Sequence, residues 1–153
     1  MCTSLAMPLC DVPADLAERH HGMVFLREGM PEMQFHLWFR PALLPVRWEG
    51  RLRFLPWGSK RRGDAIPYGP WIPEDLIESG SFAHVQVERA IVPVSLGCDR
   101  GTWFLIEDGI WAAVLPDAAG GPVAYMLTQP STPYYRNMTG HRERMPCLIR
   151  QTI

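Results

Sequence analysis

Three residue positions carry candidate chemistry. Met1 is followed by Cys2, a residue small enough for methionine aminopeptidases to remove the Met before it. A chain beginning at Cys2 would carry an α-amine of pKa ~8 beside a thiol of pKa ~8.5, both partly in the nucleophilic form near neutrality. The pair can attack one aldehyde: the amine forms an imine and the thiol closes a thiazolidine ring. Imine chemistry also needs groups that move protons. Asp99, at a strand-to-loop junction after Gly97, and His141, ahead of Arg144-Met145-Pro146, are the carboxylate and imidazole candidates. Taken singly, Cys2 also reads as an ordinary second residue, Asp99 as a turn residue capping an amide, and His141 as a loop histidine.

The other cysteines suggest no metal or redox site. Cys2, Cys10, Cys98 and Cys147 contain no CxxC pair, so neither a zinc ribbon nor a thioredoxin-type motif is expected. Cys10 with His20 and His21 matches no standard metal spacing. No metal and no cofactor is expected. Cys10, Cys98 and Cys147 read as small buried or half-buried side chains.

The chain has 153 residues, 47% apolar and 20% charged. That composition predicts a globular protein with a sizeable core rather than disorder. No apolar run approaches the ~20 residues of a membrane span, and no signal peptide is visible. The expectation is a soluble cytoplasmic monomer with no membrane partner. A net charge of −1 excludes bulk attraction to nucleic acid as the main clue. All 15 basic residues except Lys60 are arginine. Arginine suits bidentate contacts to phosphate and carboxylate, although coding bias gives the same composition.

The elements that must position these residues are mostly strands. Asp11–His21 predicts a helix with Asp11 as cap. Met33–Phe39 alternates with period two and reads as a strand with His36 on its polar face. Leu43–Trp48 and Arg51–Leu55 read as a hairpin around Glu49-Gly50. Gly58–Gly69 is a loop carrying Lys60, Arg61 and Arg62, either a phosphate contact or a solvated turn. Pro73–Glu78 predicts a short helix. Val85–Val94, Thr102–Ile106, Ile110–Leu115, Val123–Thr128 and Cys147–Arg150 read as strands, with Glu107-Asp108-Gly109 as a hairpin turn. Gln129–Arg144 reads as a long polar loop, a common place for function. The 15 prolines favour short elements. The expected fold is α+β, mainly β: a single domain over residues 1–153, with antiparallel sheets and a few short helices.

Four segments in order resemble the SOS response-associated peptidase (SRAP) family. They are Met1-Cys2, Phe54-Leu55-Pro56-Trp57-Gly58, Arg89-Ala90-Ile91-Val92-Pro93 leading to Asp99, and His141-Arg142-Glu143-Arg144-Met145-Pro146. The resemblance implies a compact curved β fold and a protein of the DNA damage response. Its N-terminal Cys, exposed by autoproteolytic removal of Met, would form a covalent thiazolidine with the ring-opened sugar of an abasic site in single-stranded DNA. Carried over, Cys2 is the nucleophile, with Asp99 in the place of a family Glu and His141 in the place of a family His. Trp57 and Gly58 would lie beside the DNA, with Lys60, Arg61, Arg62, Arg142 and Arg144 on phosphate. A groove through Cys2 holding these basic residues and Arg53, with Trp57 exposed to stack on a base, is the geometric expectation.

The chain departs from the family pattern. Thr3-Ser4 follows the Cys where Gly-Arg is usual. Pro70 and Ile72 fall where the family has Asn and Arg, and neither can position the nucleophile or hold phosphate. Asp99 is shorter than Glu, and Arg142 takes the strict position of the histidine. Two other readings therefore stand beside the first. One is a single-stranded-DNA-binding module that has lost the reaction. The other is an N-terminal-nucleophile Cys amidohydrolase.

Overall fold

The computed structural model describes residues 1–153. Its strands are β1 (Ser4–Pro8), β2 (Val24–Arg27), β3 (Met30–His36), β4 (Leu43–Trp48), β5 (Arg51–Pro56), β6 (Trp71–Pro73), β7 (Glu88–Val92), β8 (Leu96–Asp99), β9 (Thr102–Leu105), β10 (Ile110–Pro116), β11 (Pro122–Pro130) and β12 (Arg144–Pro146). Its α-helices are α1 (Ala14–Arg19), α2 (Glu74–Glu78) and α3 (Pro133–Thr139). The fold is a single compact α+β domain, mainly β, with open sheets rather than a closed barrel.

The strands form two sheets. One has the order β2-β3-β1-β8-β9; the other has β12-β11-β10-β7-β4-β5, with β6 added in parallel beside β11. Every other pairing is antiparallel. Three hairpins turn on two residues of positive φ: Glu28-Gly29, Glu49-Gly50 and Arg100-Gly101. Such turns match the twist of the strands they join, and Gly in the second place removes the steric cost.

The main core lies between the sheets and takes Leu5, Met7, Met33, Phe35, Val92, Phe104, Ala112, Val114, Ala124 and Met126. A second core, with Ile72, Ala113, Leu115, Tyr125 and Leu127, covers the opposite face of β10 and β11. Neighbours along each strand thus enter different cores, so β10 and β11 are buried on both faces and read as near-continuous apolar runs.

Several local expectations are corrected. The first helix starts at Ala14, and Asp11 does not cap it. The third strand ends at His36, which is buried at 7% exposure rather than solvated. Glu107-Asp108-Gly109 does not close a hairpin: β9 pairs only with β8, whereas β10 pairs with β7 and β11. The turn instead carries the chain from one sheet to the other, and the Glu107 amide is held by Gln151 Oε1 at 2.9 Å. The closing strand is Arg144–Pro146, not Cys147–Arg150. The long polar segment contains α3, whose start is Thr132 capping Tyr135 N with Pro133 in the first turn, and whose end is the left-handed Gly140. No helix is long and apolar enough to cross a membrane.

Candidate functional site

β1 threads the middle of its sheet, and this fixes the residues before it. Thr3 N–H donates to Cys98 O at 2.9 Å, and Leu37 N–H donates to Thr3 O at 3.0 Å. The chain start is thereby clamped between the end of β3 and β8. The Cys2 side chain points into protein, fully buried, and its thiol donates to Ser4 O at 3.2 Å. Burial pushes the Cys2 thiol up to about 12, because a thiolate loses its hydration there.

The α-amine of Met1 lies 3.1 Å from Asp99 Oδ2. Asp99 ends β8 and has no exposed surface. Its carboxylate is held by two further groups. Tyr135 OH donates to Oδ2 at 2.9 Å, and Arg142 Nε donates to Oδ1 at 3.4 Å. A buried carboxylate is tolerated only when paired and hydrogen-bonded, and here three separate chain segments supply its partners. Burial lowers the pKa of the Met1 amine, and the hydrogen bond to Asp99 opposes that shift. Burial, then the Asp99 charge, raises that of Tyr135, so its hydroxyl stays a donor. The cluster can therefore hold an amine at a carboxylate in surroundings that favour the uncharged base.

Tyr135 was not anticipated from the sequence. Its signal was Thr132-Pro133, a helix start inside what reads as a polar loop. That start places Tyr135 in the first turn, facing the protein interior.

The structure brings Cys2, Asp99 and Arg142 together and leaves His141 outside. His141 is exposed, has a φ of 68°, and its amide donates to Arg136 O at 2.7 Å. Its side chain shares a surface hollow with Arg136, Glu143 and Arg144. No hydrogen bond or ion pair joins it to Cys2 or Asp99.

The expected open groove is corrected. Cys2 has no exposed surface, so it does not lie on a concave floor. Trp57 is 3% exposed and belongs to the main core, so its ring is not available to a base. Its indole N–H has no partner. Gly58 is required by geometry: its φ is 72°, and a Cβ there would meet Gly69 O at 2.2 Å. Lys60 and Arg61 line a cleft of about 390 Å³ with Trp57, Asp64 and Asp117, but Cys2 and Asp99 are not part of it. Arg62 stacks over Tyr68 at 4.3 Å. Arg53 pairs with Glu49 at 2.8 Å. Arg144 donates to Thr128 O at 2.7 Å and to Asp75 at 3.2 Å. The basic residues thus answer to several different partners. Ile72 is buried in the second core, and Pro70 O accepts from Met126 N at 3.2 Å.

No group of three or more His, Cys, Asp or Glu side chains converges as a metal site would require. No protein-family model, no curated protein and no solved structure matches the chain.

Proposed function

We propose that the N-terminal cluster is a latent aminothiol site for abasic sites in single-stranded DNA. The observation that carries this reading is a chain start held at a buried carboxylate: the Met1 α-amine lies 3.1 Å from Asp99 Oδ2, and Cys2, whose own amine is freed when Met1 is removed, is the next residue. With Met1 in place the amine and the thiol sit on different residues, and an imine on Met1 cannot close a five-membered ring with Cys2. Hydrolysis of the Met1–Cys2 bond releases methionine and puts both groups on Cys2. The free amine then adds to the aldehyde carbon of the opened deoxyribose, and loss of water gives an imine. The Cys2 sulfur adds to the imine carbon, its proton passes to the nitrogen, and the ring is a thiazolidine. Asp99 accepts and returns protons at the amine in this scheme. Tyr135 and Arg142 hold the carboxylate in place.

The resemblance to the SRAP family supports the same chemistry, as do the positions of Cys2 and Asp99. The role carried over to His141 has weaker support, since its side chain makes no bond within the cluster. Lys60, Arg61 and Arg62, three exposed cations on one loop, supply phosphate contacts in this reading.

A second reading is favoured by the full burial of Cys2 and by Ile72 in the place of a phosphate-binding arginine. It keeps single-stranded DNA binding and omits the reaction. Intact mass separates the two. Protein lacking Met1 is incubated with abasic single-stranded DNA and denatured. The first reading expects one added oligonucleotide less one water; no adduct after prolonged incubation leaves the binding module.

A further inference from the structure

Next to the chain start, at the end of β3 and in the turn that follows it, lies an aromatic cluster that the chemistry above does not use. Trp38 is 58% exposed, and one face of its ring stacks on His36 at 4.2 Å between centroids and 24° between planes. Phe39 meets His36 edge-on at 4.7 Å, and Phe25 lies edge-on to His36 at 6.2 Å. The His36 ring cannot turn freely. Its Nδ1 is bonded to Ser4 Oγ at 2.8 Å and its Nε2 to Gln34 Oε1 at 2.9 Å. Trp38 is therefore backed by a fixed ring rather than by mobile side chains.

The surroundings choose the occupant. Arg40 donates to Leu37 O at 3.3 Å and to Phe39 O at 3.0 Å, which pins an exposed guanidinium at the rim of the cluster. The backbone just before Trp38 carries the contact to the nucleophile's neighbour, Leu37 N–H to Thr3 O at 3.0 Å. A flat, half-exposed indole with a fixed cation beside it suits a ligand that has a π-face and a negative backbone. A strand end at Cys2 would present both.

We infer that Trp38 is a stacking platform for an unpaired base of single-stranded DNA, with Arg40 on the adjoining phosphate. The assignment deepens the proposed function and rests on its reading of single-stranded DNA as the partner. It replaces Trp57, whose ring is enclosed. A platform beside Cys2 would seat the base next to an abasic site, where the missing base leaves its neighbour free to unstack. Duplex DNA, whose bases are paired and stacked, should bind less well.

The test uses the whole chain and a short oligothymidylate without abasic sites, titrated at fixed low salt. Trp38→Ala is expected to weaken binding by ~5- to 150-fold, the size of one base–aromatic stack. Trp38→Phe should retain most of the affinity. Leu105→Ala removes an apolar side chain that is 71% exposed elsewhere on the same sheet, and should change nothing. Unfolding of each variant is followed by circular dichroism, so that weaker binding is not mistaken for a damaged fold. A small aldehyde without bases is run in parallel, with Cys2 adducts read by mass. If folded Trp38→Ala binds oligothymidylate as wild type does, or if wild type does not bind it at all, the platform is wrong. Weakened binding in Trp38→Ala together with no adduct in mature wild type upholds the platform and removes the reaction. The reverse pattern removes the platform and keeps the reaction.

Discussion

The N-terminal cluster and the Gly58–Gly69 loop have opposite construction. Around Asp99 the amine, Tyr135 OH and Arg142 all converge on one carboxylate with no exposed surface. On the loop, Lys60 and Arg61 are exposed and enter none of the protein's ion pairs. The first arrangement costs desolvation and gives fixed geometry, which is what proton transfer needs. The second keeps its hydration and gives long-range attraction with little geometry, which is what phosphate binding needs. Chemistry and affinity should therefore separate by region, and substitutions in one should leave the other nearly untouched.

The largest expected effect is at Cys2. Cys2→Ala should abolish the covalent adduct with abasic DNA, because no thiol remains to capture the imine. Affinity for undamaged single strands should stay close to wild type. A fall in that affinity comparable to removal of loop cations would show that the regions are not separate.

Asp99→Asn should come next. General acid–base assistance is worth ~10²–10⁴-fold, so adduct formation in mature protein should slow by that order without stopping. His141→Ala should slow it far less, since its side chain makes no bond to the cluster. If His141→Ala were as slow as Asp99→Asn, the geometric boundary of the site would be wrong. Tyr135→Phe leaves one oxygen of Asp99 short of a donor, a loss of roughly 1–3 kcal/mol in a buried network. It should lower stability and slow the reaction less than Asp99→Asn.

Trp57 tests the comparison from the loop side. The sequence resemblance places it on DNA; the structure places it in the core. Trp57→Ala should cost roughly 3–5 kcal/mol of stability, as large aromatic deletions in cores do. Chemical denaturation reads this directly. A stable Trp57→Ala protein that no longer binds DNA would restore the stacking role.

The difference between these residues also explains what was legible in the sequence. Alternation located most of β3, turn residues the β4–β5 hairpin, and apolar β-branched runs β10 and β11, while the buried His36 at the end of β3 escaped the alternation rule. The α+β character followed from the same patterns. The Glu107-Asp108-Gly109 turn failed because a turn signal marks a change of direction without saying which sheet receives the next strand. Cys2 and Asp99 could be named from their positions alone, but their burial could not, since it arises from β1 lying between β3 and β8. Tyr135 was hidden because its partner is 36 positions away in the chain. Trp57 and Trp38 differ only in what packs over them, and neighbouring sequence carries almost none of that information.

The loop itself should give a smaller, purely electrostatic effect. Replacing Lys60, Arg61 and Arg62 together with Ala should weaken single-strand binding at low salt. The slope of log affinity against log salt should fall by roughly 0.7 for each phosphate that the variant no longer neutralises. The adduct rate at saturating DNA should not change. An unchanged salt slope would mean that these cations are only a solvated turn.

The smallest effect sharpens the contrast by pH. β3, paired with β1, carries His36 opposite Ser4, and burial lowers its pKa from 6.5. Its nitrogens face Ser4 Oγ and Gln34 Oε1, and through Gln34 the ring connects to Glu32, which Arg27 neutralises. No carboxylate contacts the ring directly to stabilise a positive charge, so the folded protein prefers the neutral form. The unfolded chain takes up the proton near pH 6.5, and the folded chain does so only at lower pH. Below 6.5 the unfolded state therefore binds more protons, and stability falls with pH until the folded ring also titrates. His20, lowered by burial and by Arg19, contributes in the same direction. Stability measured by denaturation from pH 7.5 to 5 should decline in wild type and decline less steeply in His36→Gln. The loop variant should follow the wild-type slope, because its substitutions change no histidine. Equal slopes in wild type and His36→Gln would mean that His36 titrates alike in the folded and unfolded chains.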